Sequence, residues 1–142
     1  MSITFPVVIH HNPDCATSRN VVEIVRASGC APTIIAYLET GWTRAQLLAL
    51  FAAAGKTPRD MLRIPVARAM EFAALETTTD DEAIVAAMIS HPILVNRPIV
   101  ATPKGVRLCR PSETVVALLD RPPDHIHYKE DGAIVFDPGA AG

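Results

Sequence analysis

Apolar and polar positions along this chain fall into blocks whose period changes several times. Residues 5–9 (FPVVI) form a short, apolar, β-branched run, which reads as a buried strand. Turn residues break it at His10-His11-Asn12-Pro13-Asp14-Cys15. Helical spacing follows. Val21, Ile24 and Val25 make one stripe from a start near Ser18, with Thr17 or Ser18 as N-cap and Ser28-Gly29 as the stop. Residues 33–37 (TIIAY) read as a second strand. Strand, helix and strand in this order make a βαβ unit, which predicts parallel pairing through a right-handed crossover.

The middle of the chain is helical. Thr43 caps a segment with Leu47, Leu50, Phe51 and Ala54 at i, i+3, i+4 and i+7, and Gly55 ends it. Residues 58–63 (PRDMLR) read as a helical turn, and residues 64–78 as a loop with a weak helix. Thr79-Asp80-Asp81-Glu82 matches a capping box ahead of Ile84, Val85, Met88 and Ile89, and His91-Pro92 closes that helix. Residues 99–101 and 106–109 read as strands joined by Thr102-Pro103-Lys104-Gly105. Pro111-Ser112-Glu113 opens a last helix through Leu119, with Glu113 favoured by the dipole. Beyond Asp120 the chain is Pro-rich and polar.

The order βαβ, helices, ββα predicts an α/β fold, a thioredoxin-like domain with a helical insertion between its two halves. Residues 1–137 are expected to form that single domain and residues 138–142 a mobile tail.

Nearly half of the 142 residues are hydrophobic (49%), enough for a real core, so disorder throughout is excluded. A net charge of −2 with no basic run disfavours a general nucleic-acid binder. The N-terminus has no cationic region followed by an export-length apolar stretch, and no apolar run approaches the roughly 20 residues of a membrane span. These features predict a cytoplasmic protein without membrane contact. Its three cysteines, Cys15, Cys30 and Cys109, are then expected to be free thiols.

Cys15 is the strongest chemical candidate. It lies between a buried strand and a helix N-terminus, where free N–H groups and the dipole stabilise a thiolate. His11, in the same loop, is placed to add charge or a hydrogen bond. The same position also suits an inert, buried thiol. Ser18 stands where a C-x-x-C motif carries its second cysteine, so a mixed disulfide on Cys15 would need an outside thiol. Cys30, some 15 residues along the helix at about 1.5 Å each, is poorly placed to help. Cys30 and Cys109 therefore read as structural. A C-x5-R phosphatase loop is disfavoured because Val21 occupies the arginine position.

Arginine supplies most of the positive charge, against three lysines. Arg63, Arg97 and Arg110 sit beside apolar or proline positions. Each alone reads as a surface charge, and together they suit a bidentate cradle for a tetrahedral oxyanion. The pairs His10-His11 and His125-Ile126-His127 lack a closed ligand pattern, so no metal is expected.

The segment His11-Asn12-Pro13-Asp14-Cys15-Ala16-Thr17-Ser18-Arg19-Asn20 resembles the active-site loop of the glutaredoxin-coupled arsenate reductases. The resemblance extends to Leu62-Arg63, to residues 91–100 (HPILVNRPIV), to residues 107–113 (RLCRPSE), and to Lys129-Glu130-Asp131-Gly132. It covers about Val8 to Asp137. It implies the thioredoxin-like fold, Cys15 as nucleophile with His11 tuning its pKa, and Arg63, Arg97 and Arg110 holding the oxyanion. Asn12, Ser18 and Arg19 would support the loop, and Arg97-Pro98 would be cis. The implied substrate is arsenate and the co-substrate glutathione, with no tightly bound cofactor. Glutaredoxin would be the partner of a monomeric enzyme. The chain departs from the family pattern at the apolar residues 64–69 (IPVARA) and at His10.

Three other readings remain at this point. One is a redox transcription regulator of the Spx type, against which Ser18 argues. Another is a thiol-dependent reductase or transferase acting on another substrate. The third is a small-anion binder in which Cys15 is incidental.

Overall fold

The computed structural model describes residues 5–123 and 127–136. Within them the chain divides into two compact units, one of the described residues before Tyr37 and after Asn96, the other Tyr37–Asn96. The expected tail at 138–142, and His125 and Ile126 of the second histidine pair, lie outside the described residues.

The first unit is built on a four-stranded sheet. β1 (Val8–His10) pairs in parallel with β2 (Thr33–Ile35) and antiparallel with β3 (Ile99–Thr102), which forms a hairpin with β4 (Gly105–Leu108), giving the order β2-β1-β3-β4. The parallel β1–β2 pairing and the hairpin follow the sequence reading. α1 (Ala16–Ala27) connects the parallel pair. Its Val21, Ile24 and Val25 are fully buried, in one core with Val7, Ile9, Val100, Cys109, Val115, Leu118 and Leu119.

Three details of this unit depart from expectation. α1 begins at Ala16, with Cys15 itself as the N-cap residue in extended conformation (φ −106°, ψ 120°). The last helix, Ser112–Leu118, is a 3-10 helix packed against α1, with Thr102 Oγ1 donating to Leu118 O at 2.6 Å. A two-stranded ribbon, β5 (His127–Tyr128) with β6 (Ile134–Phe136), occupies the Pro-rich end. His127 thus lies in a strand.

The second unit is helical. α2 (Tyr37–Thr40) replaces the end of the expected second strand, and Tyr37 stacks on Trp42 with ring centroids 4.8 Å apart. α3 (Arg44–Ala54) has a full capping box between Thr43 and Gln46, and Gly55 closes it in the left-handed region (φ 68°), where a side chain would be strained. α4 (Ile64–Ala69) and a 3-10 turn at Ala73–Glu76 fill the stretch expected to be mostly loop. α5 (Asp81–Ser90) is capped by Asp80, whose carboxylate accepts from the Glu82 N–H at 3.0 Å; Thr79 is not the cap. Leu62 forms an isolated bridge with Val95. Among the described residues no helix is long and apolar enough to cross a membrane.

Candidate active site

The loop after β1 is tied down from both ends. The His11 N–H donates to Ile35 O at 2.9 Å, continuing the β1–β2 ladder. Asn12, buried, accepts the Asp14 N–H on Oδ1 at 2.9 Å, an Asx turn, while its carbonyl accepts the Cys15 N–H at 3.1 Å. Arg19, one turn into α1, donates through Nη1 to Pro13 O at 2.7 Å. Its Nε and Nη2 make a two-point contact with Glu130 at 2.7 and 2.9 Å, and the Glu130 N–H donates to Asn20 Oδ1 at 3.2 Å. The loop is thereby fastened to the β5–β6 ribbon through residues 111 positions apart.

Cys15 is 7% exposed and unbonded to another cysteine. Its Sγ accepts a charge-assisted hydrogen bond from Arg110 Nη1 at 3.6 Å. Burial pushes the thiol pKa up. The Ser18 backbone N–H and hydroxyl, the charge of Arg97 and the Arg110 hydrogen bond outweigh it, and the pKa falls to about 7. The Ser18 groups lie near the sulfur without reaching strict hydrogen-bond geometry, and the buried hydroxyl has no other hydrogen-bond partner among the described residues. They act here as oriented dipoles at the helix N-terminus. A pKa lowered to about 7 favours the thiolate near neutral pH, and a thiolate is the form in which a cysteine can act as a nucleophile.

Arg97 and Arg110 come together through the hairpin. Ile99 pairs with Leu108 and Val100 with Arg107, and the same register run outward sets 97 opposite 110. Arg110 Nη1 also donates to Arg97 O at 3.3 Å. Both arginines precede cis prolines, Arg97-Pro98 as the resemblance implied and Arg110-Pro111 in addition. The hairpin pattern in the sequence already held the signal for this convergence.

His11 lies four residues before Cys15, but its charge is suppressed. Burial, then Arg19 and Arg26, hold its pKa below the ordinary value, and its buried Nδ1 has no hydrogen-bond partner among the described residues. His10 is pushed down to about 4 by burial. The positive charge that lowers the Cys15 pKa accordingly comes from arginine. Arg63 belongs to the second unit, where it is the N-cap residue of α4 and its N–H donates to Leu94 O at 2.8 Å.

Sequence reasoning missed Glu130 as the partner of Arg19, because no local pattern links positions so far apart. Cys109 is fully buried, with its pKa pushed up to about 12 by burial, which keeps it an inert thiol.

A cysteine at the N-terminus of the first helix, beside a sheet of order β2-β1-β3-β4, defines a thioredoxin-like fold carrying a single-cysteine site. The chain belongs to the ArsC family, whose model matches residues 10–118. It is 56% identical over 131 residues to arsenate reductase ArsI2 of Synechocystis sp., covering 92% of this chain and 94% of that protein. It is 47% identical to the arsenate reductase of Escherichia coli strain K12, over 92% and 93% of the two chains. An arsenate reductase structure from Vibrio cholerae superposes with a TM-score of 0.76 at 36% identity, covering 82% of this chain and all of that one.

Proposed function

We propose that this protein reduces arsenate to arsenite, with glutathione as the thiol co-substrate and glutaredoxin as the regenerating partner. The observation that carries the reading is the Cys15 thiolate held against Arg110 at the end of α1. A doubly charged tetrahedral anion repels a thiolate, so the reaction needs fixed positive charge that neutralises the oxygens as sulfur approaches. Arg97 and Arg110 supply it beside Cys15. The assignment of Arg63 to the same anion rests on the family resemblance alone.

The chemistry balances through sulfur. Cys15 Sγ attacks arsenic and one arsenate oxygen leaves as water, giving a thioester of As(V). Glutathione then joins its sulfur to Cys15. The two thiols each give up one proton and together two electrons, and arsenic is released as arsenite. The sum is arsenate plus two thiols giving arsenite, water and a Cys15–glutathione disulfide. No second cysteine stands at Ser18, so an outside dithiol must take glutathione from Cys15. We place this cycle in the cytoplasm, where reduced glutathione is maintained.

The test is arsenate-dependent NADPH oxidation coupled through glutathione reductase, glutathione and glutaredoxin, for wild type and Cys15→Ser. Activity in the wild type, abolished in Cys15→Ser, is expected. A folded wild type that turns over no arsenate, or a Cys15→Ser protein that keeps full activity, overturns the reading.

A further inference from the structure

A cavity of about 430 Å³ opens along α1, lined by His11, Arg19, Val22, Glu23, Arg26, Ile34 and Glu130. We propose that it binds the co-substrate thiol as a zwitterionic peptide, the tripeptide glutathione, laid along the helix with its sulfur toward Cys15. The inference rests on the reading above for the identity of the peptide and on this cavity for its place.

Four observations carry it. First, the wall is in line with the nucleophile. Arg19, Val22 and Arg26 follow Cys15 at i+4, i+7 and i+11, so all four share one face of α1. Second, the lengths agree. Arg19 stands about 6 Å and Val22 about 10 Å down the helix axis from Cys15. An extended tripeptide spans roughly 10 Å and glutathione carries its thiol on the central residue, so with the sulfur at Cys15 one arm runs along α1 past Arg19 toward Val22. The Arg26 side chain, tilted back toward the helix N-terminus, serves the far end.

Third, the charges are interleaved. Arg26 Nη1 meets Glu23 Oε1 at 3.2 Å and Arg19 meets Glu130, so the rim presents two cations and two carboxylates. A rim of no net charge selects a molecule carrying both signs, such as a peptide with free carboxylates and one ammonium, over a simple anion. Val22 and the 40% exposed Ile34 give the apolar wall that a peptide backbone packs on. Fourth, His11 brings a buried, unpartnered Nδ1 to the same cavity, at the end nearest Cys15 in sequence. The rest of the ring lines the cavity wall, and a rotation of the side chain would bring Nδ1 to an amide or thiol of the incoming peptide. The size also agrees, since small-ligand sites fall at about 300–1,000 Å³.

The test uses S-methylglutathione, which keeps the peptide and cannot react. Titrated into the wild-type protein without arsenate, it should shift the amide resonances of His11, Arg19, Val22, Glu23, Arg26 and Ile34. In turnover assays Arg26→Glu should raise the KM for glutathione about ten-fold, through loss of a charge-assisted contact and gain of repulsion, and leave the KM for arsenate in place. A merely structural effect would move both. No shifts up to ~10 mM ligand, or shifts clustered away from this cavity, overturn the proposal. So does an unchanged KM for glutathione in Arg26→Glu. Peptide binding here without any arsenate turnover would instead overturn the functional reading and leave the site standing.

Discussion

Replacing Arg110 by alanine removes the guanidinium whose Nη1 lies 3.6 Å from Cys15 Sγ. Two unit charges at that distance attract by about 1 kcal/mol in water and by about 5 kcal/mol at an effective dielectric near 20. The larger figure alone would move a pKa by more than about 3 units. The displacement runs from 9.0 to about 7 against the opposing push of burial, and the Arg110 hydrogen bond is the smallest of its lowering causes, behind the two Ser18 groups and the charge of Arg97. The part due to Arg110 therefore sits near the aqueous limit, about 1 unit. With the pKa near ~8, the thiolate fraction at pH 7 drops from about one half to about one tenth. Alkylation by iodoacetamide should then slow about five-fold at pH 7, while the two proteins converge above pH 9.5. The rates are best taken in a Cys30→Ser background, since Cys30 is partly exposed and Cys109 is fully buried. Arg110→Lys, which keeps the charge but not the fork, should fall between. A pH–rate profile for a folded Arg110→Ala protein that lies on the wild-type curve would refute the electrostatic argument.

The same thiol couples stability to pH. Cys15 releases its proton at about 7 in the fold and nearer 9 when unfolded, so the native state binds fewer protons across that window. Wild-type stability should rise from pH 7 to pH 9 by on the order of 2 kcal/mol and lose that gain as pH falls through 7. Urea curves for Cys15→Ser should lack the rise, and parallel pH dependences would count against it. Cys109 runs the other way: its thiol is raised to about 12, so its contribution is intact below pH 9 and is lost as pH climbs beyond it. Guanidinium melts from pH 8.5 to 10.5 should show a downward slope in the wild type that Cys109→Ala flattens. Ile24→Ala, at a fully buried position under α1, should cost about 2–5 kcal/mol by chemical denaturation. The Arg19–Glu130 pair is 42% and 47% exposed, so Glu130→Ala should leave the denaturation midpoint in the same assay nearly unchanged.

Much of the first unit was legible because its signals are local. The run before His10, the Val21-Ile24-Val25 stripe and the turn at Thr102–Gly105 each specify an element from within. The start of α1 was misplaced by two residues because Cys15 does not rank among the side chains that usually cap helices. The last helix kept its bounds to within a residue and changed type, since sequence periodicity separates 3-10 from α poorly over seven residues. Residues 64–78 offered few apolar repeats, and α4 is one short turn held by Pro65 near its start. The ribbon at 127–136 was hidden by its brevity. At the site, local chemistry singled out Cys15. The lowered pKa of His11 comes from burial and from Arg19 and Arg26, which only the fold brings to bear.

His10 pairs with Ile35 on one side and Ile99 on the other. The two points where the chain leaves and rejoins the sheet are thus about 10 Å apart, two strand spacings across β1. Three or four extended residues could bridge that gap in place of Tyr37–Asn96. The hydrogen-bond register that sets Cys15, Arg97 and Arg110 is written entirely in the flanking strands, so the intervening stretch behaves as a cassette. A change in its length costs little in loop closure and leaves the strands that carry the thiolate and its two arginines paired as before.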